Sequence, residues 1–359
     1  IQPDFSEVFF RSAVKQMPIG KLPMTGYSSV DELCNEICPV MFNPEILPKR
    51  VNKADGVDLV KASACNYYEG VSQEEAEHFY NKKKADAGDN SPSWGLNTKL
   101  VKGENGLEER VWSENGEYAG AIHQIIYWLQ LAKNVAENLQ QQLVIDLLIR
   151  YYRTGDLHLF DEYSIEWLKE QDGNVDFING FIEVYGDPLG IKASWEGIVE
   201  YKDLDATRRT RLISDNAQWF EDHSPVDQRF KKAVVRGVTA NVVCAAMLGG
   251  DEYPSTAIGI NLPNADWIRA QHGSKSVTIS NITDAYNKAA KDNGFKEEFV
   301  IDAETLNMVS LYDDICDDLH TDLHECLGHG SGQLLPGISP DALKAYGNTI
   351  EEARADLFG

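Results

Sequence analysis

No apolar stretch in this chain reaches the roughly 18 residues that a membrane-crossing helix requires, so no span is expected. Basic runs are also missing. Lysine and arginine number 33 against 57 acidic residues, a formal charge of -24. That balance argues against nucleic-acid partners, which need clustered cations to displace phosphate counterions. It argues equally against an anionic membrane surface. No basic segment followed by an apolar one opens the sequence, so no signal peptide is expected in it. The chain begins at Ile1 rather than Met, so an upstream segment is expected either to have been removed or to lie outside this sequence. Cysteine is sparse, six in 359 residues. In a chain of this length that is no disulfide framework, and a reducing compartment is favoured. A cytoplasmic location follows as the expectation, with the periplasm left open.

What is present is ordinary for a globular protein. Hydrophobic residues make up 43% and aromatic residues 10%, enough to bury a core and to exclude disorder as the main state. At about 150 residues per domain the length suggests two or three domains. Residues 1–110 mix short apolar runs with turn signals. From Glu117 to Tyr152 the apolar positions recur at helical spacing. Ile122, Ile125, Ile126 and Leu129 form one stripe, and Leu143, Leu147, Leu148 and Tyr151 a second, which predicts two packed helices. The charged stretch from Ala193 to Arg236 also reads as helical. Residues 242–283 read as short strands and loops. Residues 302–329 read as one or two helices ending at Gly330-Ser331-Gly332. From these signals alone the fold class is α+β and helix-rich.

The sharpest signal is TDLHECLGHGSG, which holds His324, Glu325 and His329. The commoner zinc-protease signature places two histidines at i and i+4. Here the spacing is i, i+5, about 500° of a regular helix, which turns the two rings roughly 140° apart. A single π-type turn would bring them together, and Gly328 lowers the steric barrier to that distortion. Alone, two histidines on an acidic helix are also what a plain surface face looks like. A second acidic helix follows, however, in NTIEEARADLFG. Two histidines and one carboxylate are an established catalytic zinc set. Cobalt or manganese could use the same donors. His320, four residues before His324, turns the same face and reads as a surface residue.

HECLGH at 324–329 and EEARAD at 351–356 together resemble the dipeptidyl peptidase III family, the M49 zinc exopeptidases, in a bacterial-type form. GVSQEEAEHFY near residue 70, LNTKLVK at 96–102, FIEVYGDPLG at 181–190, SWEGIV at 194–199 and GINLPN at 259–264 stand in the family's order. The resemblance implies zinc held by His324, His329 and Glu352, with Glu325 as general base. It implies that Glu351 and Asp356 orient the histidine rings. It makes Tyr185 the residue that stabilises the oxyanion. It assigns Glu183, Asn261 and Asn264 to the substrate's terminal ammonium, with Asn281 as a weaker addition. Residues 255–258 would form an exposed strand edge on which a peptide could pair.

The resemblance further implies two lobes flanking a wide cleft. A lower lobe with a small β-barrel-like core plus helices would take residues 1–203 and 245–295. A mostly helical upper lobe carrying the zinc would take 204–244 and 296–359. Because family members continue past the second motif, the upper lobe is expected to be incomplete and the chain to be an N-terminal portion. The expected activity is release of dipeptides from the N-termini of short peptides, by a monomer or homodimer. A zinc endopeptidase and a non-catalytic peptide-binding fragment stay open as other readings.

Overall fold

The computed structural model describes every residue except 1, 2, 44, 45, 47, 89, 90, 236–238, 255, 292, 339–342, 344 and 345. The described chain falls into two compact units. One comprises 1–88, 94–111 and 183–193, and the other 89–93, 112–182 and 194–359.

In the first unit, α1 (Glu7–Gln16) and α2 (Val30–Phe42) each start on a serine. Ser6 accepts from the Phe9 N–H and Ser29 from the Glu32 N–H, which satisfies donors that a helix start leaves open. The helices close on Val14 and the free thiols Cys34 and Cys38, backed by Phe10, Leu22 and Phe42. Strand β1 (Tyr68–Glu69) precedes α3 (Gln73–Ala87), which opens with a Ser72–Glu75 capping box. Strands β2 (Thr98–Gly103) and β3 (Gly106–Val111) complete a sheet of order β1-β2-β3. Lys192 lies beside them with 0% exposure. It donates to Thr98 Oγ1 at 2.7 Å and to the Tyr80 hydroxyl. Burial brings its pKa down to about 7, against the pull of Glu109.

The second unit begins with α4 (Ala119–Lys133), α5 (Leu139–Thr154) and α6 (Leu157–Lys169). Ile122, Ile126, Leu147, Leu148 and Tyr151 are buried, as their spacing predicts, whereas Leu143 is exposed. Then come β4 (Val175–Glu183), β5 (Ser194–Lys202), α7 (Leu204–Asp215), α8 (Ala217–His223) and β6 (Thr239–Gly250). They are followed by β7 (Gly259–Leu262), α9 (Asp266–His272), β8 (Lys275–Ile279), α10 (Ser280–Ala290) and α11 (Phe295–Phe299). The chain closes with α12 (Ala303–Leu323) and α13 (Gly347–Phe358). The strands form a sheet of order β4-β5-β6-β8-β7.

The α+β class therefore holds. The strands make two open sheets, with no closed barrel among the described residues. Two local expectations need correction. The stretch after Ala193 starts with strand β5, not a helix. The sheet's edge strand is Gly259–Leu262 rather than 255–258, of which Ser255 lies outside the described residues.

Polar groups are deeply buried in this sheet. Lys275 donates to Asp176 Oδ2 and the Glu170 carbonyl, both at 2.9 Å, and lies over the Trp167 ring. Glu200, 1% exposed, has neither carboxylate oxygen hydrogen-bonded among the described residues. Burial pushes its pKa up to about 8, helped by Asp176 and opposed by Lys275. A raised folded-state pKa means that the folded chain holds a proton that the unfolded chain releases above about pH 4.5. This contribution is complete below that pH and is lost as the pH rises through 8. Glu200→Gln removes the titration and keeps the shape. Thermal melts at about pH 5 and about pH 8.5 are expected to show the variant gaining on the parent by a few kcal/mol at the higher pH. An equal difference at both values would contradict a neutral Glu200.

Candidate metal centre

α12 ends in a π-type turn over His324–Gly328, in which the His329 N–H donates to the His324 carbonyl at 3.0 Å. The wider turn takes up the extra residue, and both rings face the same side. The ring planes are at 85° with centroids 4.8 Å apart. The turn's inner face is Cys326 and Leu327, buried with Ile213 and Ala217 of α7 and α8. Asp322, buried just before the turn, accepts from Arg209 Nε at 2.6 Å and Thr210 Oγ1 at 2.9 Å. α7 thereby anchors the end of α12.

Gly328 has a different reason from the one its place in the turn suggests. Its φ is not positive. A Cβ there would stand 2.7 Å from the Ala355 Cα and 2.7 Å from its carbonyl oxygen. The glycine therefore lets α13 approach the turn backbone to backbone. That approach delivers Glu352. Its Oε2 lies 3.3 Å from His324 Nε2 and 3.8 Å from His329 Nε2. One donor atom each from His324, His329 and Glu352 lie within 4.8 Å of one another. Tetrahedral zinc with bonds near 2.0–2.1 Å sets its ligands about 3.3 Å apart. The donor set fits that ion in type and spacing.

The other face of each ring is occupied. His324 Nδ1 donates to Asp356 Oδ1 at 2.8 Å, and His329 Nδ1 to Glu351 Oε1 at 3.1 Å. These bonds leave each Nε2 lone pair free to point at the shared space. His324 and His320 hold the Asp356 carboxyl below its usual range. Burial works to raise Glu351, but Arg354 and His329 outweigh it and keep the group low. Arg354 grips Glu351 at 2.6 and 2.9 Å and reaches Ser331 Oγ at 3.1 Å. Ser331 itself donates to the Gly328 carbonyl.

Glu325 sits half-buried beside the donor set. Burial raises its pKa, while His329 and His324 pull it down. Its Oε1 lies 3.0 Å from where a Cβ on Gly259 would stand. Edge strand β7 thus passes directly against this carboxylate.

The amide residues of the sequence motifs are engaged within the fold. Asn261 Nδ2 donates to Ser276 Oγ at 2.7 Å. Asn264 Oδ1 accepts from Arg269, which also donates to the carbonyls of Pro263 and Asn261. Asn281 spends both ends of its amide on the Ala245 backbone, at 2.9 Å each. Glu183 and Tyr185 belong to the first unit. There Asp187 accepts from the Tyr68 hydroxyl and from the Ile191 and Lys192 N–H groups, each at 2.8 Å. This pins the loop and leaves Tyr185 80% exposed. A Cβ on Gly186 would stand 2.5 Å from Arg50 Nη2, so the arginine head would have to shift to admit one.

Sequence reasoning missed Arg209, Asp322, Gly259 and Arg269. Arg209 and Asp322 meet across 113 positions, and no local pattern marks such a pair.

A helix-borne pair of histidines, a carboxylate from a second helix and a half-buried glutamate beside them belong to the class of metal-dependent peptidases. The model of peptidase family M49 matches residues 65–353, and the chain belongs to that family. It is 28% identical over 219 residues to "Dipeptidyl peptidase 3" of Nematostella vectensis, covering 61% of this chain and 29% of that protein. It is 26% identical over 301 residues to the protein of the same name from Dictyostelium discoideum, covering 82% and 40%. The solved structure of DPP III from Caldithrix abyssi matches 98% of this chain and 64% of its own, with a TM-score of 0.69 at 22% identity. The chain thus spans less than half the length of these two curated relatives. No described helix is long and apolar enough to cross a membrane.

Proposed function

We propose that this chain carries the catalytic metal centre of a zinc-dependent dipeptidyl peptidase acting on short peptides. The observation that carries the proposal is the convergence of His324, His329 and Glu352 within 4.8 Å in a chain of family M49. When bound, zinc would supply Lewis-acid chemistry, polarising a carbonyl and lowering the pKa of a water.

The side chains divide the remaining work. His324, His329 and Glu352 hold the ion. Asp356 and Glu351 keep both Nδ1 protons in place, so both Nε2 atoms stay available. Glu325 takes the proton of the attacking water and returns it to the departing amine, so that one water is consumed and one peptide bond is broken. Tyr185 donates to the oxygen of the scissile carbonyl as charge develops there. Glu183, Asn261 and Asn264 bind the terminal ammonium, with Asn281 supporting them through the β6 backbone. A peptide pairs along edge strand β7, which places its backbone next to Glu325.

An enzyme that holds the ammonium releases dipeptides from a free N-terminus and resists a blocked one. Matched peptides with free and acetylated N-termini, assayed for released dipeptide, are expected to differ by at least about 10²-fold in kcat/KM. A half-buried carboxylate that no longer meets the ammonium supports a loss of that size. Equal cleavage of both would favour an endopeptidase.

A further inference from the structure

A second donor set adjoins the first and shares one ring with it. His320 lies one turn before His324 on α12, with its Nε2 3.3 Å from Asp356 Oδ1. His324 Nδ1 lies 2.8 Å from that same oxygen. One donor atom each from His320, His324 and Asp356 lie within 4.8 Å of one another. The 2.8 Å contact is a normal charge-assisted hydrogen bond. The 3.3 Å contact is longer than such bonds run, and it matches the spacing of about 3.3 Å between two ligands of tetrahedral zinc. A carboxylate also has more lone pairs than one donor can use. His320 and Asp356 are both exposed, so water can complete a coordination shell. From its place in the sequence alone, His320 reads as a plain surface residue.

We propose that His320, Asp356 and His324 Nδ1 form a second, weaker site for a divalent transition-metal ion such as zinc. The site rests on this geometry. Only its effect on turnover rests on the peptidase function above. Binding is a ligand exchange. A metal–nitrogen bond forms at His324 Nδ1 and the proton held there leaves to solvent. Asp356 turns its oxygen from that proton to the ion. His324 then loses the hydrogen bond that orients it toward the first centre. The second ion therefore acts as a brake, and turnover falls once zinc exceeds what the first centre needs.

Equilibrium dialysis of the whole chain against increasing zinc, at fixed pH, reads the stoichiometry directly. The parent is expected to take a tight equivalent and then a weaker one. His320→Ala is expected to keep the tight equivalent and lose the weaker. Glu352→Gln is expected to show the reverse. A tight equivalent alone in the parent, or two equivalents in His320→Ala, overturns the proposal. A parent that lacks the tight equivalent, yet still loses the weak one on His320→Ala, counts against the peptidase function and supports the second site.

Discussion

Glu325→Gln is expected to keep its zinc and to lose turnover by about 10²- to 10⁴-fold, the range of a positioned general base. Glutamine has the outline of glutamate but no basic oxygen. Its amide meets the same neighbours, including Gly259 on β7. The donor atoms on His324, His329 and Glu352 are untouched, so metal content should match the parent. Both quantities need to be measured on one preparation. A variant that still turns over at the parental rate removes Glu325 from the base role. One that loses its metal along with its activity gives Glu325 a structural role in holding the π-type turn.

Gly328→Ala should act through the metal instead. An added methyl cannot occupy a place 2.7 Å from the Ala355 Cα and 2.7 Å from its carbonyl oxygen, because both are backbone atoms. α13 must move away from the turn, and it carries Glu351, Glu352 and Asp356 with it. Overpacking of this kind costs about 1–3 kcal/mol of stability. Disturbing the groups that orient metal ligands costs about 10–100-fold in affinity, and here a ligand itself shifts as well. Zinc affinity is therefore expected to fall by at least about 10²-fold, read by competition with a chelator. Ala355→Gly in the same chain should restore only part of that loss. It removes the Ala355 Cβ, 2.8 Å away, but leaves the Cα and the carbonyl in place. Full restoration would show that the side chain alone sets the spacing.

The donor cluster of the proposed centre was largely legible because its information is local. Histidines five apart cannot share an ion in a regular helix, so the HECLGH spacing itself demands a π-type turn. The role of Gly328 was not legible, since it depends on Ala355, which no pattern links to it. Strand β5 was misread for a related reason. Its inward positions are Glu196, Ile198 and Glu200, while Val199 and Tyr201 face outward. Two buried glutamates invert the polar alternation on which a strand assignment depends. The edge strand, which the resemblance placed at 255–258, starts at Gly259. A Cβ at Gly259 would press on the Glu325 carboxylate at 3.0 Å.

All the acidic groups of the centre's second helix lie within a turn and a half of α13. In the proposed centre Glu352 would be the third donor, and Glu351 and Asp356 hydrogen-bond the rings that would supply the other two. Without an ion, three carboxylates crowd toward two imidazoles, and only Arg354 offsets them from the same helix. With an ion, the same charges become the reason the helix stays. Metal uptake and the docking of α13 are then one equilibrium observed from two sides, so a change anywhere along this helix registers as a change in affinity. In the proposed centre the cation would be the clasp of a two-helix buckle, and the grip on zinc would measure how firmly that buckle is shut.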